Sequence, residues 1–303
     1  RTQFEVYQFK PALKFLANPD QRLLIADEVG LGKTIEAGII YLELQARIGL
    51  ERVLIVCPSS LRQKWQDEMK SRFDEEFTIL DLAGIKRFLE QYKQYGSAAS
   101  LRGIVSVELT RRRDLALEMS DVRLGLVIID EAHHCHNTAT LANAVASVLT
   151  ENADAALLLT ATPLQMGNED LFNLLHILSP GEFDNYQAFL SRLEPNQFVN
   201  RAPQILSTGD RAQALKELRK VETTSERRRF KGSPYYKEVV RMLQQDNLTR
   251  QELVTVQRRL LELNTLSAIF TRTRKRDVQE KAPLRTARTL PVNFTLAERR
   301  FYD

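Results

Sequence analysis

Five short apolar runs recur along the first half of the chain: Leu23–Ala26, Val53–Cys57, Gly103–Val107, Leu126–Ile129 and Ala156–Leu159. Each ends in a polar or glycine-bearing turn, and helix-like stretches separate them. Short apolar runs without polar alternation are strands buried on both faces. Alternation with helices predicts an α/β fold, with a central, mostly parallel sheet between helices. Ligands in such sheets bind at the carboxyl ends of the strands. Four of the five runs lead directly into a motif that carries chemistry.

The pattern changes after about Leu178. Ser179-Pro180-Gly181 breaks the chain, and from there to about Lys281 the spacing is helical with little strand signal. Val239, Val240, Met242 and Leu243 form one apolar helical face. Leu260, Leu261, Leu263, Leu266, Ile269 and Phe270 form another. Arg288–Phe294 reads as a returning strand. The predicted organisation is an α/β lobe over residues 1–178, an α-helical insertion over 179–285, and a returning strand and linker over 286–303.

Composition narrows the classes. With 43% hydrophobic and 27% charged residues, the chain has the makeup of a globular protein rather than a disordered one. No apolar run approaches the roughly 20 residues of a membrane helix, so no membrane partner is expected. No secretory signal opens the chain, and it begins at Arg1 without Met, which predicts a piece of a longer, intracellular protein. Cys57 and Cys135 lack metal spacing and are expected to be ordinary thiols. Charge is unevenly spread. Residues 1–200 hold 20 Lys/Arg against 27 Asp/Glu, a balance of −7, whereas residues 201–303 hold 23 against 12, a balance of +11. The basic third is compatible with a polyanion partner and equally with solvated helix faces.

Two motifs carry the chemistry. Asp27-Glu28-Val29-Gly30-Leu31-Gly32-Lys33-Thr34 follows the first strand and opens a helix. That arrangement is a phosphate loop. Gly30, Leu31 and Gly32 wrap backbone N–H groups around a phosphate, Lys33 supplies a cation for the outer phosphates, and Thr34 places a hydroxyl on Mg²⁺. Asp27 stands where the general pattern has its first Gly. The second motif is the buried run Leu126–Ile129 ending in Asp130-Glu131-Ala132-His133. Asp130 is placed to hold Mg²⁺, in part through water, and Glu131 to orient or deprotonate a water attacking the terminal phosphate. His133, His134 and His136 lack companion ligands at zinc spacing.

Asp130-Glu131-Ala132-His133 resembles the DEAH signature of helicase superfamily two, and residues 27–34 resemble the narrower phosphate loop of Swi/Snf-type ATPases. Val29, followed by Ile35-Glu36-Ala37-Gly38, is most similar to the bacterial branch, which includes RNA polymerase-associated members. Val53–Leu61 with Trp65 and Glu68 resembles motif Ia, Val105-Ser106 with Glu108-Leu109 resembles motif Ib, and Leu159–Gln165 resembles motif III. Arg272–Val278 resembles the basic signature that closes the family's helical protrusion. Motif III reads Thr-Ala-Thr-Pro rather than Thr-Gly-Thr-Pro, which favours the bacterial branch, and Met166 stands where Asn is common.

The resemblance implies an ATP- and Mg²⁺-dependent ATPase that moves along double-stranded DNA and remodels protein–DNA complexes. It implies an N-terminal RecA-like lobe, working with a second RecA-like lobe of the same protein that supplies the arginine finger. RNA polymerase or another DNA-bound complex is an implied partner, and a bacterial, nucleoid-associated cytoplasmic setting an implied location. A strand-separating helicase and a nucleotide-binding scaffold without turnover are the alternatives. Gln8 is implied to read adenine, against the alternative of a surface Gln, and Tyr7 or Phe4 to stack on the ring. Thr160, Thr162 and His133 are implied to couple the terminal phosphate to nucleic-acid contacts. Pro58, Ser59, Ser60 and Ser106 are candidate DNA-phosphate contacts. Trp65 is expected to pack on the sheet, and Arg111–Arg113 to be a solvated face. Arg272, Arg274 and Lys275 either touch DNA phosphates or dock the protrusion, which the resemblance places away from the phosphate loop.

Overall fold

The computed structural model describes residues 4–111, 118–161, 167–245 and 248–278. The expected returning strand at 288–294 and Thr162 lie outside them. Among the described residues seven strands form one parallel sheet: β1 Arg22–Ile25, β2 Arg52–Cys57, β3 Thr78–Ile79, β4 Leu101–Ser106, β5 Leu124–Ile129, β6 Ala153–Leu159 and β7 Phe270–Thr271. Their order is β3-β4-β2-β5-β6-β1-β7, and each recorded pairing is parallel.

The five long strands match the five apolar runs within two or three residues. Their side chains alternate between two cores, which is why the runs are apolar throughout. Leu24, Leu54, Val56, Val105, Val127, Ile129 and Leu158 face one core; Leu23, Ile25, Val53, Ile55, Ile128 and Leu157 face the other. The second core is closed by α1 Lys10–Ala17, α2 Lys33–Ile48 and α3 Arg62–Phe73. The first is closed chiefly by α4 Leu82–Tyr95, α6 Leu141–Glu151 and α7 Asn168–Leu178, with the short α5 Val107–Thr110 at its margin.

The helical region expected to open at residue 179 contributes its first helix, α8 Tyr186–Leu193, to the sheet: Phe183 and Phe189 pack in the first core. A separate core begins at Val199 and ends at Leu263. It is built by α9 Asn196–Ser207, α10 Arg211–Arg219, α11 Arg227–Gly232, α12 Pro234–Leu243 and α13 Arg250–Glu262. Its two ends are tied together where Asn196 Nδ2 donates to Thr265 Oγ1 at 2.8 Å and Thr265 N donates to Asn196 Oδ1 at 2.9 Å.

One expectation is corrected here. Leu260 through Phe270 do not share a helical face. Helix α13 ends at Glu262, Leu266 and Ile269 enter the core under the sheet, and Phe270-Thr271 is the edge strand β7 beside β1. Its two residues are too few for strand periodicity, and the apolar spacing before it continues that of the helix. Among the described residues no helix is long and apolar enough to cross a membrane.

Candidate functional site

With every strand running the same way, all carboxyl ends meet one edge of the sheet. In spatial order this edge carries Ser106 at the end of β4, Pro58–Ser60 after β2, Asp130-Glu131 after β5 and Thr160 after β6. Asp27–Thr34 follow β1 and Arg272–Lys275 follow β7. Hydrogen-bonded strands lie about 4.8 Å apart, so β4 and β7, five steps apart, are separated by roughly 24 Å.

The phosphate loop is held open by two glycines in the left-handed region, Gly30 at φ 86° and Gly32 at φ 93°, where a side chain is strained. Lys33 begins α2, and its ammonium turns back to donate to the Asp27 carbonyl at 2.9 Å. Thr34, half-buried, follows it on the first turn. Gln8 is buried rather than on the surface. Its Nε2 donates to the Leu31 carbonyl at 3.0 Å and its Oε1 accepts from Glu5 N at 3.0 Å. Tyr7 OH donates to the same carbonyl at 3.2 Å. A Cβ at Gly32 would lie 2.6 Å from Gln8 Nε2, so the small loop residue and the Gln amide occupy one corner. Phe4 stacks on Phe73 instead.

Asp27, the departure from the general loop pattern, is fully buried. Its Oδ1 accepts from Thr273 N at 2.8 Å, while Oδ2 and both oxygens of the fully buried Glu36 meet no N–H donor. Burial first, and the adjacent Asp27 second, push the Glu36 carboxyl up to about 10. That shift favours the protonated form of Glu36 at neutral pH, beside the Asp27 carboxylate. The sequence held a signal for this, since Glu36 falls on the same helical stripe as the buried Ile40 and Leu44.

At the end of β5, Asp130 is buried and doubly held. Oδ2 accepts from Trp65 Nε1 at 2.8 Å, and Oδ1 accepts from Glu131 N at 2.8 Å. Burial raises its pKa, and these two donors and the charge of Lys33 oppose that rise. Trp65 does pack on the sheet as expected, but its N–H toward Asp130 was not legible in the sequence. Glu131 sits at φ 50°, an uncommon place for a non-glycine residue and one that clusters at functional sites. His133 Nδ1 stands 3.2 Å from Glu131 Oε2, and burial with the neighbouring His134 and His136 lowers its pKa, favouring the neutral ring. Thr160 is fully buried, and its N donates to the Ile25 carbonyl across to β1.

The candidate nucleic-acid residues divide into two groups. Ser59 and Ser60 are exposed in a single turn after β2, and Ser106 caps α5 by accepting from Leu109 N at 3.2 Å. Pro58 is half-buried beside them. Arg272, Arg274 and Lys275 lie across the sheet, and the expectation that they sit on the helical insertion away from the phosphate loop is overturned. Residues 271–275 run along the loop, where Ala26 N donates to Thr271 O at 2.9 Å and Glu28 N to Thr273 O at 3.1 Å. Lys275 N donates to Glu28 Oε2 at 3.0 Å. Arg274 lines a shallow cleft with Lys10 and Lys14, and Arg272 is half-buried at its wall. The two groups are too far apart to hold one backbone phosphate.

A phosphate loop and an acid pair on one edge of a parallel sheet, two strands apart, with a helical insertion before β7, define a nucleotide-dependent RecA-like lobe. The chain matches the SNF2-related domain over residues 7–303, and it belongs to that family. Its fold is similar to the SWI2/SNF2 ATPase core of Sulfolobus solfataricus, solved in complex with double-stranded DNA. The TM-score is 0.55 at 18% identity, covering 93% of this chain and 47% of that one. The chain therefore spans about half the length of that ATPase core.

Proposed function

We propose that this chain is the nucleotide-binding half of an ATP-driven motor that translocates on double-stranded DNA and displaces what is bound there. The observation that carries the reading is the placement of the Asp27–Thr34 loop after β1 and of Asp130-Glu131 after β5 on one edge of the parallel sheet. The residues fit a Mg²⁺-nucleotide. The two left-handed glycines turn the loop backbone, the Lys33 ammonium rests on a loop carbonyl from which it can swing to a phosphate, and Asp130 is oriented by two donors. Thr34 and Asp130 are the oxygen groups for Mg²⁺, which when bound neutralises charge between the outer phosphates. Glu131 is the side chain that takes a proton from an attacking water. Gln8 reads the base by exchanging its loop contacts for the adenine edge.

The duplex as track rests on the family and on the DNA bound to the Sulfolobus core. Thr160 and His133, at the ends of β6 and β5, would pass the state of the terminal phosphate to Pro58–Ser60 and Ser106. A second RecA-like lobe completes the motor, consistent with the half-length match. The phosphate-loop sequence and Thr160-Ala161 favour a bacterial-type member, with RNA polymerase or another DNA-bound complex as its target. The test is the ATPase rate of the intact protein with duplex DNA, single-stranded DNA and RNA, beside a strand-separation assay. Stimulation by duplex without unwinding is expected; unwinding of the duplex would favour a strand-separating helicase.

A further inference from the structure

The segment after the insertion brings a second cation to the phosphate loop. Strand β7 pairs with β1, and its continuation is fastened to residues 26–28 by the contacts of Thr271, Thr273 and Lys275, one of them to the buried Asp27 carboxylate. This leaves the Lys275 ammonium 3.6 Å from where a Cβ at Gly30 would stand. Gly30 is exposed and left-handed, so the ammonium lies against bare loop backbone. Lys275 is itself exposed, and among the described residues no carboxylate pairs with its ammonium. Its backbone N–H, by contrast, is fixed by Glu28. An unpaired cation held by its main chain at the rim of an anion-binding loop is arranged for an anionic ligand.

We propose that Lys275 contacts the outer phosphates of the bound nucleoside triphosphate, so that Lys33 grips them from α2 and Lys275 from the strap that follows the helical insertion. This rests on the phosphate-loop reading of residues 27–34. It assigns the basic cluster a split role, with Lys275 at the nucleotide and Arg272 and Arg274 on the cleft beside α1. It also means that loading the nucleotide pulls on the chain that closes the insertion, because Thr273 and Lys275 hang from the same loop.

The test is binding of fluorescent ATP, ADP and AMP, each with Mg²⁺, to the chain and to its Lys275→Gln, Lys275→Arg and Lys33→Ala forms. Loss of one charge-assisted contact is expected to weaken ATP by about tenfold in Lys275→Gln, ADP by less, and AMP not at all. Lys275→Arg is expected to recover most of the ATP affinity. Lys275 is exposed, so folding is not at risk, and a thermal melt of each variant confirms it. Wild-type ATP affinity in Lys275→Gln, with binding lost in Lys33→Ala, overturns the role of Lys275 and leaves the loop reading standing. Equal weakening of ATP, ADP and AMP also overturns it, since that pattern reports a disturbed loop rather than a phosphate contact. Unchanged binding in Lys33→Ala brings down the loop reading itself.

Discussion

Single side chains at this edge do separable jobs. On the proposed reading Lys33 would contact phosphates in the ground state and Glu131 would act on water, so their substitutions should part company. In the intact protein, Lys33→Ala is expected to lose nucleotide binding, and Glu131→Gln to bind ATP and fail to turn it over. Equilibrium binding beside single-turnover hydrolysis checks both, and normal turnover in Glu131→Gln would remove it from the role of base. Glu36 makes a different kind of prediction. Burial, and then Asp27, push its carboxyl up to about 10 in the folded chain, against the ordinary carboxylate value of about 4.3 when unfolded. The folded state thus holds the extra proton between these values. The group's contribution to stability is full below the unfolded pKa and is lost as pH rises through the folded one. Asp27 and Lys33 face it, the first reinforcing the shift and the second opposing it. Urea melts of the nucleotide-free chain between pH 5.5 and 8.5 should show stability falling, by at most about 1.4 kcal/mol per pH unit from this group. Glu36→Gln cannot ionise and should flatten the slope. Identical slopes in the two proteins would show that Glu36 is ionised.

At the scale of elements, the contact between α2 and α3 is set by a missing side chain. A Cβ at Gly38 would lie 2.2 Å from the Phe73 ring, which is itself stacked on Phe4. Glycine inside a helix costs about 1 kcal/mol in propensity, so Gly38→Ala would stabilise an isolated helix. Here the overpacking cost, roughly 1–3 kcal/mol, opposes that gain and is expected to win, because the ring has neighbours on its other side. Denaturant unfolding of Gly38→Ala should show a net loss. A net gain would mean that Phe73 moves freely. The run Glu36-Ala37-Gly38 divides its work: Glu36 lies against the buried Asp27, Ala37 packs in the core, and Gly38 permits the close approach of α3.

The described residues form one lobe with a helical body inserted before β7. One lobe covers one side of a nucleotide, so ATP should bind weakly and turn over slowly when residues 1–303 are tested alone. An arginine finger supplied from elsewhere is worth roughly 10³–10⁵ in rate to related phosphate-loop enzymes. Lys275 is near the loop, but it is fixed on the same lobe and cannot close on the nucleotide as a second lobe does. Duplex DNA is therefore not expected to rescue the rate. Steady-state hydrolysis with and without duplex checks this, and strong DNA stimulation of the chain alone would contradict the two-lobe mechanism.

Much of this protein was legible without coordinates. The five long strands declared themselves because a sheet buried on both faces demands unbroken apolar runs, and the phosphate loop and acid pair did so because their chemistry tolerates few residue types at fixed spacing. What the sequence left open involves partners distant along the chain. Thr273 lies 246 residues from the Asp27 carboxylate it meets, and Trp65 lies 65 from Asp130. A two-residue edge strand has no periodicity, so β7 was hidden within a helical pattern, and with it the placement of Lys275. Local preference decides what a segment becomes. Only packing decides which segment lies beside the loop, because hydrogen bonds from an edge strand go to whichever backbone the fold brings within 3 Å.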